Sequence, residues 1–402
     1  MITNFIKKNS KFMSLIKMEE VNKGKQLNLN DFSFHVPDDQ VAHFPAKKRD
    51  SSKLLFYKGK SEIKNFDFKS LPDILPQGTL LIFNNTKVFP CRLQAQKDTG
   101  AQLEVFLLSL PNEKNPNCQA IVKPIKRIKT GTKLYFQEGV IAEVGDFNNN
   151  GSIPTVSLKF FSPPGVSDFH CWIDRFGQTP LPPYIKRQTD DSKNAEIDKK
   201  RYQTVYARCE GSTAAPTAGL HFTKDLLEEL ERSGIKSSCV TLHVGLGTFA
   251  PVRNNDIKTH KMHKEFYFIP SETFEAIKEN IRSKNPIVAV GTTSLRAVES
   301  LFYHDCKSFE NLSSYVDAWN ETDLFIYPKT KNDFFSPRVL DGLITNFHQP
   351  QSTLYMLISA LLGFDEAKRV YDYAVKNKFR FFSYGDSSLL WFKKKEMDDL
   401  KS

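Results

Sequence analysis

Short stretches that alternate apolar and polar residues follow one another between about residues 90 and 165. A period of two residues is typical of strands with one buried face, and turn residues between such runs are typical of hairpins. Gly, Pro, Asn or Asp bounds every run here. The runs are "RLQAQ", "QLEVFLLSL", "CQAIVKP", "KLYFQ", "GVIAEVG" and "TVSLKFF". Six close-spaced strands with no helical pattern among them predict a small antiparallel β-barrel.

Strand-like and helical patterns alternate from about residue 215 onward. One helical pattern follows Thr223, a predicted N-cap, and stops at Gly234, while another begins with a predicted capping box at Ser271. The stretches "PIVAVGTTSLRAVESLF" and "VLDGLITNFHQPQSTLYMLISALLG" each predict a strand, a small polar turn and a helix. We therefore expect a large α/β domain whose ligand-binding groups lie at the carboxyl ends of its strands.

The chain has 402 residues, more than one ordinary core requires, so more than one domain is expected. We predict an α/β catalytic domain over residues 29–89 and 170–402, with the β-barrel inserted over residues 90–169. Residues 1–28 carry six lysines against two glutamates and have no continuous apolar segment, so a flexible basic extension is expected there.

Composition narrows the class of protein. Hydrophobic residues make up 40% of the chain, and no apolar run approaches the roughly 20 residues that span a bilayer. The formal charge of +10 favours a polyanionic partner such as nucleic acid. The six cysteines form no CxxC pair, which favours free thiols in a reducing cytoplasm over zinc ligands or disulfides.

Three polar turns, "HVGLGTF", "GTTS" and "TNFHQPQST", stand where strands are predicted to end. Backbone amides and hydroxyl groups at such turns, together with helix amino termini, suit a small polar ligand. Ordinary helix caps use the same residue types, so one turn alone carries little information. Three in one α/β domain predict a composite small-molecule site.

The stretch "VTLHVGLGTFAPVR" resembles the start of a dinucleotide-binding loop. The dinucleotide fingerprint requires a third glycine and a helix directly after it, whereas Pro251 and polar residues follow here. It also lacks an acidic residue at the end of the next strand. The sequence thus excludes the ordinary Rossmann loop and the glycine-rich turn of common methyltransferases, and tight packing at the glycines stays as the alternative.

The nine histidines include the pair "HKMH", His260 and His263. Without a HExxH pattern or nearby cysteines, we expect no metal site there. No GxSxG or Walker sequence is present either. His243 and His221 are better suited to proton transfer or hydrogen bonding.

Two basic stretches are candidates for RNA contacts, "KPIKRIKTGTK" with Lys126, Arg127 and Lys129, and "KFRFFSYGDSSLLWFKKK" with Arg380. Phosphate contacts and base stacking use these residue types. The alternatives are a solvated barrel loop for the first stretch and core aromatics beside a charged tail for the second.

An ordered series of segments resembles the S-adenosylmethionine:tRNA ribosyltransferase-isomerase family of queuosine biosynthesis. It extends from Asp31 to about Leu390. The segments are "DFSFHVPDDQVAHFPAKKRDSSKLL", "LLIFNNTKVFPCRL", "PLPPYIKR", "RYQTVYA", "AAPTAGLHFT", "VTLHVGLGTFAPVR", "HKMHKE", "AVGTTSLRAVES", "TDLFIYP", "DGLITNFHQPQSTLYMLISALLG" and "FRFFSYGDSSLL". "CEGSTAAPTAGLHF" departs from the more usual family pattern, which leaves the contacts of residues 210–213 open.

The resemblance implies an α/β domain with an inserted barrel. It also implies transfer and isomerisation of the ribosyl part of S-adenosylmethionine onto a 7-aminomethyl-7-deazaguanine at the anticodon wobble position of tRNA. The product would be epoxyqueuosine-tRNA, with adenine and methionine released. S-adenosylmethionine would be consumed as ribosyl donor, no cofactor would be needed, and the enzyme is expected to act as a cytoplasmic monomer.

We predict site residues from motif position and side-chain chemistry. His243 and His221 are expected to handle protons, and Asp341 is expected to orient the amine or offset the sulfonium charge. Arg296 is expected to contact a carboxylate or phosphate. The residues expected to bind the donor are Gly245, Gly247, Thr248, Thr292, Thr293, Ser294, Asn346 and His348.

Two rival functions remain open on sequence alone. An RNA-binding module without catalysis would bind tRNA regardless of S-adenosylmethionine. A methyltransferase would form S-adenosylhomocysteine, whereas a ribosyltransferase releases adenine and methionine.

Overall fold

The computed structural model describes residues 26–59, 62–111, 114–149, 153–163, 168–185, 187, 192–245, 252, 255–303 and 309–393. Its strands are β1 (Lys53–Lys58), β2 (Ile63–Asp67), β3 (Leu80–Asn84), β4 (Thr86–Val88), β5 (Arg92–Lys97), β6 (Gln102–Leu107), β7 (Asn117–Lys123), β8 (Lys133–Tyr135), β9 (Ile141–Asn148), β10 (Thr155–Phe161), β11 (Cys209–Ser212), β12 (Lys236–Leu242), β13 (Glu265–Phe268), β14 (Ile287–Val290), β15 (Trp319–Thr322), β16 (Gly342–Asn346) and β17 (Ser387–Trp391). Its α-helices are α1 (Leu71–Ile74), α2 (Phe169–Phe176), α3 (Ser192–Arg201), α4 (Lys224–Arg232), α5 (Ser271–Arg282), α6 (Thr292–Tyr303), α7 (Phe309–Leu312), α8 (Thr353–Leu362) and α9 (Phe364–Lys376).

A nine-stranded sheet in the order β15-β13-β12-β3-β14-β16-β17-β1-β2 forms the centre of the α/β domain. Its four middle strands, β12, β3, β14 and β16, run parallel to one another. Strands β3, β14 and β16 are buried along their whole length, as expected when helices cover both faces. The carboxyl ends of all four therefore meet at one edge of the sheet, which we call the carboxyl edge.

Helix α4 has the N-cap that the sequence predicts, whereas the start of α5 differs from the prediction. Helix α4 is amphipathic and buries Leu226 and Leu230, and its N-cap is Thr223, whose Oγ1 accepts a hydrogen bond from the Leu226 amide at 3.1 Å. The capping box predicted at Ser271 is wrong. The N-cap of α5 is Pro270, and the Ser271 amide donates instead to Asp317 Oδ1 at 2.9 Å.

Helix α6 has no exposed face between Thr292 and Phe302. It packs on β12, β3, β14 and β16, so its amino terminus is fixed at the carboxyl edge of the sheet. One of its buried residues, Glu299, accepts hydrogen bonds from the backbone amides of Arg338 and Val339. The position of this helix fixes the "GTTS" turn at its start.

The six predicted barrel strands are all present and close in the order β10-β7-β6-β5-β8-β9, with every pair antiparallel. Alternate residues such as Leu93 and Leu158 fill the interior, while their neighbours on the same strands are partly or fully exposed. Trp172 of α2 packs against this apolar core. The prediction of an α/β fold with a small antiparallel barrel is thereby confirmed.

Of the predicted amino-terminal extension, only residues 26–28 are described. These residues belong to the α/β domain. Leu27 is buried in its core, and Gln26 forms an isolated bridge with Thr330. Among the described residues no helix has both the length and the apolar character that crossing a membrane requires.

Candidate functional site

A cavity of about 350 Å³ opens at the carboxyl edge. Its volume is within the range of small-molecule sites. Six segments of the chain line it: the loop before α3, the segment after β11, the three polar turns that follow β12, β14 and β16, and the segment before β17. Among the lining residues are Tyr184, Pro216, Thr217, Val244, Val252, Gly291, Thr292, Thr293, Asn346, His348, Gln349, Phe382 and Ser383.

The amino terminus of α6 forms one wall of the cavity, with Thr292 and Thr293 at its first positions. Gly291, directly before them, has φ of +90°, a conformation that favours glycine. Thr293 Oγ1 accepts a hydrogen bond from Asn84 Nδ2 at 3.1 Å. Asn84 also bonds the backbone of Leu242 in both directions, so this side chain ties the ends of β3 and β12 to the helix.

Asn346 ends β16 and connects the cavity to a buried hydrogen-bond chain. Its Oδ1 accepts from Thr217 Oγ1 at 3.0 Å, and its Nδ2 donates to His221 Nε2 at 3.1 Å. His221 Nε2 is therefore an acceptor, and the ring proton lies on Nδ1, which donates to Ser52 Oγ at 2.8 Å. Both ring nitrogens of His221 are occupied. Its role in this arrangement is to orient Asn346, and it lines a second recess instead of the main cavity.

His348 lies on the cavity wall and is held by two hydrogen bonds. Its Nε2 is 3.0 Å from Thr345 Oγ1, and its backbone amide donates to the Tyr371 hydroxyl at 3.1 Å. Burial lowers the pKa of His348 to about 3. Burial, and after it the nearby Arg380 and Arg49 charges, lowers the pKa of His221 to about 3 as well.

We expect both imidazoles to stay neutral at pH 5. A folded-state pKa below the ordinary 6.5 means that the unfolded chain binds more protons between pH 6.5 and 3, so stability falls as the pH decreases through that window. NMR of ring-labelled protein should show no titration of His221 or His348 between pH 7.5 and 5, and the melting temperature should fall over the same range. Titration of either ring near pH 6.5 would contradict this placement.

His243 follows β12 at the same edge and is oriented differently from His221. Its Nδ1 is 2.8 Å from Thr86 Oγ1, and the Thr86 hydroxyl donates to the Cys209 carbonyl at 3.4 Å. We assign the Thr86 hydroxyl proton to the Cys209 carbonyl, so that the hydroxyl oxygen accepts from His243 Nδ1–H and the lone pair lies on Nε2. No described residue hydrogen-bonds to Nε2. Burial lowers the pKa of His243 below its ordinary value, so the ring is neutral at pH 7.

Two neighbours fix the plane of the His243 ring. Trp319 stacks on it with ring centroids 4.9 Å apart, and Gly211 lies against its edge. A Cβ at position 211 would be 2.8 Å from His243 Nε2, so only glycine fits there. His243 does not itself line the cavity, but the next residue, Val244, does.

The structure gives Arg296 and Gly245 a common internal partner. Arg296 Nη1 pairs with Glu265 Oε2 in a buried ion pair, and Glu265 Oε1 accepts from the Gly245 amide at 3.2 Å. Arg296 was expected to contact a carboxylate or phosphate, and the carboxylate that it contacts is the Glu265 side chain of the protein itself. Ser294 is also internal, because its Oγ donates to the Val290 carbonyl at 2.8 Å. Gly247 and Thr248 lie outside the described residues.

Asp341 is not brought to the cavity. It precedes β16, whereas the cavity lies past the other end of that strand, about 16 Å away at the usual rise per residue. Its Oδ2 accepts from the Ile287 amide at 3.0 Å and joins the amino ends of β14 and β16. We therefore replace the predicted catalytic role with a structural one.

The predicted RNA-binding residues fall in two places. Lys126, Arg127 and Lys129 are exposed in the loop between β7 and β8 of the barrel. Arg380 lies instead on the recess beside the main cavity, with its Nη2 3.3 Å from Asp386 Oδ1. Sequence position alone did not separate these two sites.

Among the cavity residues that sequence reasoning missed are Tyr184, Phe382 and Ser383. The Tyr184 hydroxyl hydrogen-bonds to Ser383 Oγ, and the Phe382 ring packs on Tyr184 with centroids 4.9 Å apart. Phe382 has φ of +73°, which is rare for a bulky residue and costs about 1–3 kcal/mol where it occurs. The stretches "PLPPYIKR" and "FRFFSYGDSSLL" contain these residues and were the available signal.

In the described part of the chain, no three His, Cys, Asp or Glu side chains are grouped to hold a metal ion. His260 packs edge-on against Phe325 at 5.3 Å. The cavity offers neutral donors and acceptors together with a helix amino terminus. It suits a polar organic ligand.

Comparison with known proteins gives one family and a consistent set of relatives. The family model described as queuosine biosynthesis protein matches residues 29–390. Proteins named S-adenosylmethionine:tRNA ribosyltransferase-isomerase are similar to the chain. The one from Thermosipho africanus is 41% identical over 91% of this chain and 100% of its own length, and the one from Sulfurihydrogenibium sp. is 41% identical over 90% and 100%. A crystal structure of S-adenosylmethionine tRNA ribosyltransferase from Thermotoga maritima is 30% identical over 90% of this chain and 99% of that chain, with a TM-score of 0.47.

Proposed function

Because this chain belongs to the queuosine biosynthesis protein family, we propose that it acts as an S-adenosylmethionine:tRNA ribosyltransferase-isomerase. It transfers the ribosyl group of S-adenosylmethionine to tRNA and isomerises it there. The acceptor is the amine of 7-aminomethyl-7-deazaguanine at the anticodon wobble position. Adenine and methionine leave, and the tRNA carries an epoxide-containing ring. The cytoplasmic location and the monomeric state stay predictions.

The observation that carries this proposal is the neutral, oriented imidazole of His243 beside the cavity. The reaction needs a base for the proton on the carbon next to the sulfonium, since the positive sulfur acidifies that carbon. His243 has its lone pair on Nε2, a lowered pKa and a ring held by Thr86 and Trp319. We therefore assign His243 as the proton acceptor and exclude His221, whose nitrogens are both hydrogen-bonded.

The amino terminus of α6 is well placed to stabilise the departing adenine. Backbone amides in the first turn of a helix carry partial positive charge and suit a leaving group that gains negative charge. Thr292 and Thr293 present that turn to the cavity, and Asn84 fixes Thr293 from behind. Tyr184 and Phe382 supply aromatic surface on which a purine or deazapurine ring stacks.

The test is to incubate the protein with S-adenosylmethionine and tRNA that carries the 7-aminomethyl base, and to identify all products by mass spectrometry. We expect adenine, methionine and the added epoxide-bearing ring. Formation of S-adenosylhomocysteine would show a methyltransferase. Binding of tRNA without turnover, and without dependence on S-adenosylmethionine, would show an RNA-binding module.

The Thr86 hydroxyl is a positioning group, and its removal should weaken catalysis through His243. We expect Thr86→Val to lower turnover about tenfold, the effect of one lost hydrogen bond of about 1.4 kcal/mol, and to alter the acid limb of the pH–rate profile. Thr86→Ser keeps the hydroxyl and should restore both. A Thr86→Val enzyme with the turnover and pH profile of wild type would remove Thr86 from this role.

A further inference from the structure

Two identical Lys-Lys-Arg tripeptides, residues 47–49 and 199–201, lie side by side next to the cavity. They are far apart in the chain, and the arginine of each segment donates hydrogen bonds to backbone carbonyl groups of the other segment. Arg49 donates to the Lys200 carbonyl at 3.0 Å, and Arg201 donates to the Ala46 carbonyl at 2.7 Å. This reciprocal bonding fixes the two backbones against each other. We call the resulting surface the Lys-Lys-Arg patch.

The positive charges of the two arginines have no carboxylate partner in the described part of the chain. Among the described residues their guanidinium groups donate hydrogen bonds only to backbone carbonyl groups, and Arg201 Nε is buried without a hydrogen bond to any described residue. Burial, and then the charge of Arg201, lowers the pKa of Arg49. A pair of neighbouring guanidinium groups in this state favours an external anion.

Two acidic residues near the patch, Asp198 and Asp50, accept hydrogen bonds from side chains outside it. Asp198 accepts two hydrogen bonds from Arg187, at 2.7 and 3.0 Å, and another from the Tyr384 hydroxyl. Asp50 Oδ2 accepts from Thr223 Oγ1 at 3.3 Å. Lys47, Lys48 and Lys200 are exposed, and their ammonium groups bond to no described residue. The patch therefore presents a positive surface to solvent.

The patch borders the candidate active site. Arg49, Arg201 and Arg380 line a narrow recess together with Ala46 and Ser383, and Ser383 also lines the main cavity. A nucleotide whose base enters a pocket leaves its own and the adjacent phosphates at the mouth. Exposed lysines spread over two segments match such a chain of phosphates better than they match one small anion.

We propose that the Lys-Lys-Arg patch binds backbone phosphates of the tRNA beside the base that enters the cavity. This inference rests on the proposed function and names the surface that holds its macromolecular substrate. Lysines 47, 48 and 200 supply the exposed charges, and Arg49 and Arg201 hold the two segments together. The barrel loop with Lys126, Arg127 and Lys129 is a separate surface.

The test compares two triple variants of the full chain. Lys47→Gln/Lys48→Gln/Lys200→Gln removes the exposed charges of the patch. Lys58→Gln/Lys236→Gln/Lys284→Gln removes three exposed lysines at the opposite edge of the sheet and is the matched control. Affinity for tRNA carrying the 7-aminomethyl base is measured across a range of salt concentrations, and turnover is followed by adenine release.

For the patch variant we expect the slope of log affinity against log salt to fall by about two to three units, since each phosphate contact contributes about 0.7–0.9. The KM for tRNA rises, while kcat at saturating tRNA and the KM for S-adenosylmethionine stay those of wild type. Equal tRNA affinity and salt slope in both triple variants would overturn the proposal. A raised KM for S-adenosylmethionine with an unchanged KM for tRNA would also overturn it, because the anion would then be the donor carboxylate. If the wild-type protein releases no adenine, the proposed function is refuted. The tRNA affinities and salt slopes of the two triple variants still show whether the patch binds tRNA.

Discussion

Replacement of His243 by alanine is expected to lower turnover by about 10²–10⁴-fold, the usual contribution of a general base. The fold should survive, because the ring makes one side-chain hydrogen bond, to Thr86, and one stacking contact, with Trp319. Together these are worth about 1–2 kcal/mol. Turnover by adenine release and the melting temperature, measured on the same preparation, separate the two effects.

The pH dependence adds a second readout for His243. Its pKa is below 6.5, so the base is neutral above that pH, and the rate of wild type should fall only in more acidic solution. The alanine variant should lose this acid limb. His35→Ala, which removes an exposed histidine, is the control and should change neither rate nor profile. Unchanged turnover in His243→Ala would remove His243 from the mechanism.

Replacement of Arg296 by methionine is expected to lower the free energy of unfolding by about 3–5 kcal/mol, because the buried Glu265 carboxylate would lose its arginine ion-pair partner. Arg296 and Glu265 are each about 4% exposed, and Arg296 also donates to the Leu324 carbonyl. Glu265 in turn anchors the Gly245 amide, where the chain leaves β12 for the cavity wall. The loss should appear in urea or guanidinium unfolding.

The matched control for this ion pair is the double variant Arg296→Met/Glu265→Gln. Removing both charges should recover most of the lost stability, since no buried charge is then left without its ion-pair partner. Were Arg296→Met as stable as wild type, the ion pair would not hold this part of the fold. Arg296 would then be available to bind substrate, as its place in the "GTTSLRAVES" motif first suggested.

The location of the site could be predicted from sequence because parallel strands bring their carboxyl ends together. The turns after β12, β14 and β16 were each visible as small polar residues after an apolar run, and all three supply residues to the cavity wall. The same reasoning failed for Asp341, which stands before a strand and so lies at the opposite edge. The barrel strands were visible from their period of two residues.

What sequence patterns could not supply are contacts between distant segments. Tyr184 and Ser383 are 199 positions apart and bond through their hydroxyl groups. Glu265, the ion-pair partner of Arg296, is the first residue of β13, and the sequence around it does not indicate an ion pair. Likewise, the choice between His243 and His221 depends on which ring nitrogen is occupied, and only the positions of Thr86, Ser52 and Asn346 decide that.

The most direct measurement follows the ribosyl carbons themselves. S-adenosylmethionine labelled with ¹³C throughout its ribose is incubated with the protein and with tRNA that carries the 7-aminomethyl base, and the digested tRNA is analysed by mass spectrometry. The proposed function predicts that the whole labelled carbon skeleton appears on the modified nucleoside, with unlabelled adenine and methionine released in equal amounts. A tRNA without the label after complete consumption of the donor, or label that remains in S-adenosylhomocysteine, would contradict it.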